Sequence, residues 1–259
     1  MLTVLKREIR SLFSSYKGYL FVALFGIAFG VLRMVYHYLL MDKLTFILHD
    51  ASSGTSFSLV AFEYMLTYLP FAFAIAAPIL TFSIFDTERR MGAWSLLRSL
   101  PLTAKGVVFG KYLSALCVFL LSYTVLTVLS FLLGFYTGSE LLTVMYSILF
   151  YALACNTLLA INFFISAVCK NKYVALGVSY GVNIIFAVLF ATRYAVPYVL
   201  GGIFEKLSIL GTHTSALVGI VDISAIILHL TVGGAFLYLS YVVLKNEMKV
   251  FGGACKNEK

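Results

Sequence analysis

The chain has 259 residues, a net charge of +8, 61% hydrophobic residues and only 12% charged ones. A soluble domain carries about 25% charged residues; together with a mean hydropathy of +0.98, this excludes a soluble globular domain, a disordered chain and a secreted disulfide scaffold. An all-α integral membrane protein remains, in which 23 Phe and 17 Tyr suit acyl chains and headgroups.

In chain order, Leu2, Leu5, Ile9, Leu12, Phe13 and Tyr16 recur at spacings of three and four, one face of a helix. Arg7, Arg10, Ser11 and Ser14 take the other side. Residues 1–16 therefore predict an amphipathic interfacial helix, either an anchor on anionic lipid or a lever joined to the first span. Six apolar runs follow: Gly18–Leu40, Phe62–Phe85, Val107–Leu133, Leu141–Val168, Tyr173–Thr192 and Ile223–Leu244. Each reaches the ~20 residues needed to cross a bilayer. The first run is too long for the apolar segment of a signal peptide. With no internal repeat, the chain reads as one domain over 1–259.

Between the second and third runs lies Asp86–Gly106. Asp86 and Arg90 stand at i, i+4, Met91, Trp94 and Leu97 share a side, and Pro101 stops the helix. This predicts a short amphipathic helix, either a solvated turn or a docking knob for a soluble partner. The connection 193–222 is too long for a hairpin and is punctuated by Pro197, Gly201, Gly202 and Gly211. Glu205 and Lys206 argue against a further span, so short re-entrant or interfacial helices are expected there.

Orientation follows from the positive charges. With the N-terminus in the cytoplasm, 15 of the 19 Lys and Arg fall inside and only Lys43, Arg193 and Lys206 outside. The positive-inside rule then puts both termini and the 86–106 loop in the cytoplasm. The basic excess belongs to the membrane surface, and no basic-aromatic cluster suggests nucleic acid.

No catalytic constellation emerges. Cys117, Cys155, Cys169 and Cys255 show no CxxC spacing, and His37, His49, His213 and His229 form no HxxxH pair, so no metal site is expected. Gly106–Lys111 is one residue short of a Walker A loop and lacks its Ser/Thr. Gly110 reads as a packing glycine and Lys111 as a side chain snorkelling to the inner headgroups. Arg33, Glu63, Lys111 and Asp222 are the structural membrane charges, with Arg33 and Glu63 placed to pair. Asn156, Asn162 and Asn183 read either as hydrogen-bonding glue between helices or as the lining of a path, and Pro70 and Pro78 as kinks.

The stretch Glu88-Arg89-Arg90-Met91-Gly92, then Leu97-Arg98-Ser99-Leu100-Pro101-Leu102-Thr103, then Gly110-Lys111 resembles the permease subunits of ABC transporters of the ABC type-2 class, especially the gliding-motility-associated branch. Leu5-Lys6-Arg7-Glu8-Ile9, Lys170-Asn171-Lys172 and Gly219-Ile220-Val221-Asp222 agree with it. Trp94, where small, β-branched or acidic residues are common, departs from it. The resemblance implies six transmembrane helices with an N-terminal amphipathic helix, a cytoplasmic coupling helix between spans 2 and 3, and short extracellular helices between spans 5 and 6. It implies a permease, an exporter in direction, working as a dimer with a second copy or a sister permease in a bacterial inner membrane. Two cytoplasmic ABC ATPase subunits would bind ATP and Mg; this chain would hold no cofactor and catalyse nothing. Glu88, Arg89, Arg90, Gly92, Leu100 and Pro101 would form the ATPase-coupling segment. The competing readings are an ion-coupled secondary transporter, which needs ionisable residues near the midplane, and a non-transporting scaffold. An intramembrane enzyme would need a convergent catalytic set that the sequence lacks.

Overall fold

A computed structural model describes residues 2–14, 16–47, 69–86, 89, 104–135, 141–192, 195–211 and 222–254. Among them are eight helices and no strand: α1 (Leu2–Ser14), α2 (Tyr16–Ile47), α3 (Leu69–Thr81), α4 (Ala104–Phe135), α5 (Leu141–Val168), α6 (Lys172–Thr192), α7 (Tyr198–Leu207) and α8 (Ile223–Ala254). Four of them, α4, α5, α6 and α8, are long and apolar enough to cross a membrane, and the bent pair α1–α2 makes a fifth if taken as one span.

The second apolar run leaves helical structure earlier than the sequence suggests, while its residues 62–68 lie outside the described residues. Helix α3 ends at Thr81 rather than Phe85. The Thr81 hydroxyl donates to the carbonyls of Ala77 (3.2 Å) and Pro78 (3.5 Å), competing with the backbone for the last turn. The chain then turns through 82–85, with the Ile84 amide donating to the Thr81 carbonyl at 3.1 Å. Helix α8, by contrast, runs ten residues past the expected Leu244, because nothing breaks the pattern through Lys245-Asn246-Glu247.

Helix α1 does more than lie on a surface. It packs on α4 as well as on α2, burying Leu12 and half-burying Phe13. Tyr16 is not part of that apolar face: it opens α2 and is 68% exposed. The two helices meet at 72°. Gly18 makes the corner possible, since a Cβ there would lie 2.7 Å from the Leu12 carbonyl oxygen.

Helices α4 and α5 form the centre, with 61% and 67% of their apolar windows buried, against 17% for α6 and for α8. Helix α5 touches α3, α4, α6 and α8. Lipid tails are as apolar as Phe, so packing rather than water exclusion must select this arrangement. Aromatic rings do much of that: Phe73 of α3 sits edge-on to Phe21 and Phe25 of α2 at 6.1 and 5.8 Å, and to Phe119 of α4 at 4.7 Å. At the end of the bundle away from α1, α7 packs on α6. The Ser208 hydroxyl donates to the Phe186 carbonyl at 2.9 Å, while Ile209 and Leu210 are buried.

Candidate functional site

The turn after α3 brings charged side chains from four parts of the chain together. The Arg89 amide donates to the Phe85 carbonyl at 3.2 Å, which holds the guanidinium among α5, the loop after it, and α8. A helix C-terminus carries unsatisfied carbonyls and the negative end of the macrodipole. Arg89 serves that end of α5. Its Nη1 donates to the carbonyls of Cys169 (2.7 Å) and Ser166 (3.4 Å), and Nη2 donates to that of Ala167. The same guanidinium meets Glu247 of α8 with two prongs, Nη2 to Oε1 at 2.8 Å and Nε to Oε2 at 3.3 Å. Both side chains are largely buried, 12% and 19% exposed. A planar fork with five donors suits this job; an ammonium could not cover both partners.

A second charged centre adjoins the first. Lys111 of α4 is buried, at 2% exposure. Its Nζ donates to the Ile84 carbonyl at 2.9 Å and pairs with Glu8 Oε2 of α1 at 3.5 Å. The expectation that Lys111 snorkels to headgroups is therefore corrected: a carboxylate on α1 and a free carbonyl in the 82–85 turn give the ammonium partners inside the protein. Glu8 also accepts from Arg7 at 2.7 Å. The Phe85 ring links the two centres, with Lys111 Nζ 5.5 Å and Arg89 Cζ 6.0 Å from its centroid. The turn leading into the 90–103 segment is thus tied to α1, α4, α5 and α8 at once.

Of the sequence-predicted coupling residues, Arg89 sits in this cluster, whereas Glu88, Arg90, Gly92, Leu100 and Pro101 lie outside the described residues. So does Glu63; the helix that carries Arg33 is described, its side chain is not. Asp222 caps α8, with Oδ1 accepting from the Ser224 amide (2.9 Å) and hydroxyl (2.7 Å).

The mid-helix polar residues make neutral contacts. Pro78 has no N–H for the carbonyl of Ala74, four residues earlier. Asn183 Nδ2 supplies the missing donor at 2.7 Å, and the Tyr180 hydroxyl donates to the next carbonyl, Ile75, at 3.0 Å. Helix α6 thus repairs the proline defect in α3. Asn162 Nδ2 donates to the Leu158 carbonyl at 2.9 Å and to Asn183 Oδ1 at 3.5 Å. The Tyr112 hydroxyl donates to Asn156 Oδ1 at 2.7 Å. Thr157 Oγ1 lies 3.1 Å from His229 Nδ1. Among the described residues no group of three or more His, Cys, Asp or Glu could hold a metal ion.

Glu8 and Glu247 were missed as site residues by the sequence reading. Glu247 carries a usable signal, a carboxylate among Lys245 and Lys249 on an unbroken helical continuation. Glu8 is the one acid in a basic amphipathic helix.

A family model described as ABC-2 family transporter protein matches residues 2–240. The chain belongs to that family. No curated protein matches it.

Proposed function

We propose that this ABC-2 family chain is the membrane permease subunit of an ATP-driven exporter, working as a dimer and coupled to separate cytoplasmic ABC ATPase subunits. ATP and Mg would act in the partner, and the basic end of the bundle, with both termini, would face the cytoplasm. The branch we favour is the gliding-motility-associated one, on the resemblance of the Glu88–Lys111 stretch.

The observation that carries this reading is the fixing of residues 82–86 and of Arg89 to four helices. Lys111 holds its Ile84 carbonyl, Phe85 lies against both cations, and Arg89 binds α5 and α8. A partner pushing on residues 90–103 would move that turn and, through it, α1, α4, α5 and α8 together. Glu88, Arg90, Gly92, Leu100 and Pro101 are proposed as the face that meets the ATPase, and Arg89 as the residue that passes its motion inward.

The test is a complex reconstituted from this chain and a candidate Walker A ABC ATPase subunit. Glu88→Ala should weaken capture of the ATPase or uncouple ATP hydrolysis from transport, while Ser139→Ala, between α4 and α5, changes neither. Removing one member of a desolvated interfacial charge pair costs about 2–5 kcal/mol of binding. Equal behaviour of the two variants in both assays would remove the 90–103 segment from the coupling role.

A further inference from the structure

Helices α5 and α6 form an antiparallel hairpin joined by Cys169–Asn171, and the contact Asn162 to Asn183 fixes its register. One turn towards the loop on each arm, Ser166 of α5 comes opposite Ser179 of α6. All four side chains are buried: Asn162 and Ser179 at 0% exposure, Ser166 at 2% and Asn183 at 4%. Both Asn162 Nδ2 and Asn183 Nδ2 have acceptors. Asn162 Oδ1, Ser166 Oγ and Ser179 Oγ have no hydrogen-bond partner.

Other buried hydroxyls in the bundle behave differently. Thr81, Ser114, Ser122, Thr157 and Ser240 each donate to a carbonyl three or four residues back on their own helix. Ser166 and Ser179 leave that default bond unmade. An unpaired buried polar atom is costly, and three lie within one turn along a single helix–helix seam.

We infer that this seam binds one water molecule, shared by Asn162, Ser166 and Ser179. The ligand must donate to the Asn162 carbonyl oxygen and accept from, or donate to, two hydroxyls. It must be small, because α5 and α6 are in packing contact. It is neutral, because among the described residues the unpaired groups at the seam are three neutral oxygens with no carboxylate to balance a charge. Water meets each demand, and about three hydrogen bonds is the usual complement of a buried water. The buried residues of α6 are Ala175, Ser179 and Asn183, so the water sits in the strip by which this lipid-exposed helix holds the bundle.

The test is a thermal-unfolding cycle on the full-length protein in detergent, with Ser166→Ala, Ser179→Ala and the double variant. Each single change should lower the midpoint by about 2–4 °C, the shift expected for ~1 kcal/mol in a chain of this size. The double variant should lose no more than the worse single one, because both changes remove the same water. Additive losses, or unchanged or raised midpoints, overturn the proposal. Exchanging sodium for choline should leave the wild-type midpoint in place; a cation-specific shift absent from the double variant would assign the seam to an ion instead. A high-resolution map of the wild-type protein decides the matter if a variant does not fold. Density within hydrogen-bonding distance of Asn162 Oδ1 and both serine hydroxyls is expected, and a direct Ser166–Ser179 contact with no density between overturns it.

Discussion

The loop end of the α5–α6 hairpin and the seam between its arms satisfy their polar groups by different standards. At its loop end Arg89 divides its donors between one carboxylate and three helix-terminal carbonyls, and Lys111 has both a carbonyl and a carboxylate. In the seam, which starts at the last turn of α5, Asn162, Ser166 and Ser179 leave polar atoms without a protein partner. The difference follows the cost of failure. A stranded charge in a low-dielectric interior costs several kcal/mol even after relaxation, whereas a stranded hydroxyl or amide oxygen costs about 1–3 kcal/mol. Charges are therefore built in with opposite partners, while neutral groups tolerate looser accounting and can share one small ligand.

The largest expected effect tests the charged end. Arg89→Met removes the guanidinium but keeps an apolar stem, leaving Glu247 unpaired and the last carbonyls of α5 without donors. Loss of one member of a buried pair costs about 3–5 kcal/mol, so the variant should unfold far below wild type, and Arg89→Lys should recover little because one ammonium cannot serve α5 and α8 together. A near wild-type midpoint for Arg89→Met would mean that the cluster is already solvated, and the contrast between the two regions would collapse.

Next comes the neutral repair of the α3 proline. Asn183→Leu leaves the Ala74 carbonyl without its 2.7 Å donor, a loss of about 1–3 kcal/mol. Adding Pro78→Ala restores an N–H on α3 itself, so the double variant should be more stable than Asn183→Leu alone. If Pro78→Ala brings no recovery, Asn183 holds α6 by some contact other than the proline-freed carbonyl.

Much of this fold was legible because apolar periodicity is strong and unbroken. The runs at 107–133, 141–168, 173–192 and 223–244 lie within α4, α5, α6 and α8 to within a few residues at most of their ends. Helix α1 was legible from spacing, though its apolar face ends before Tyr16. What the sequence could not give was pairing across distance. Lys111 looks like a snorkelling lysine until Glu8, about a hundred residues earlier, is brought to it by the corner at Gly18. Arg89 reads as a loop cation until α8 proves long enough to carry Glu247 to it. Both are long-range ion pairs whose members carry no local periodic signal. The asparagines read as glue, but that Asn183 answers Pro78 emerges only when α6 is laid against α3.

The smallest expected effect belongs to Tyr112→Phe, and it sharpens the comparison because it isolates one neutral bond. The hydroxyl donates to Asn156 Oδ1 at 2.7 Å and lies 3.3 Å from the Asn156 carbonyl. The ring, 5.4 Å from that of Phe163, would keep its edge-to-face contact in the variant. No cavity larger than one oxygen is left, so the loss reduces to one hydrogen bond, about 0.5–1.5 kcal/mol. Asn156 is only partly buried, and its amide can turn towards another partner, which holds the loss near the lower figure. Unlike the Ala74 carbonyl, the Asn156 carbonyl sits in a helix without a proline four residues later and retains its backbone donor. The order Arg89→Met, then Asn183→Leu, then Tyr112→Phe in thermal midpoint is therefore the expected result. A Tyr112→Phe loss exceeding that of Asn183→Leu would show that the α4–α5 contact, not the repaired proline, is the neutral bond the bundle depends on most.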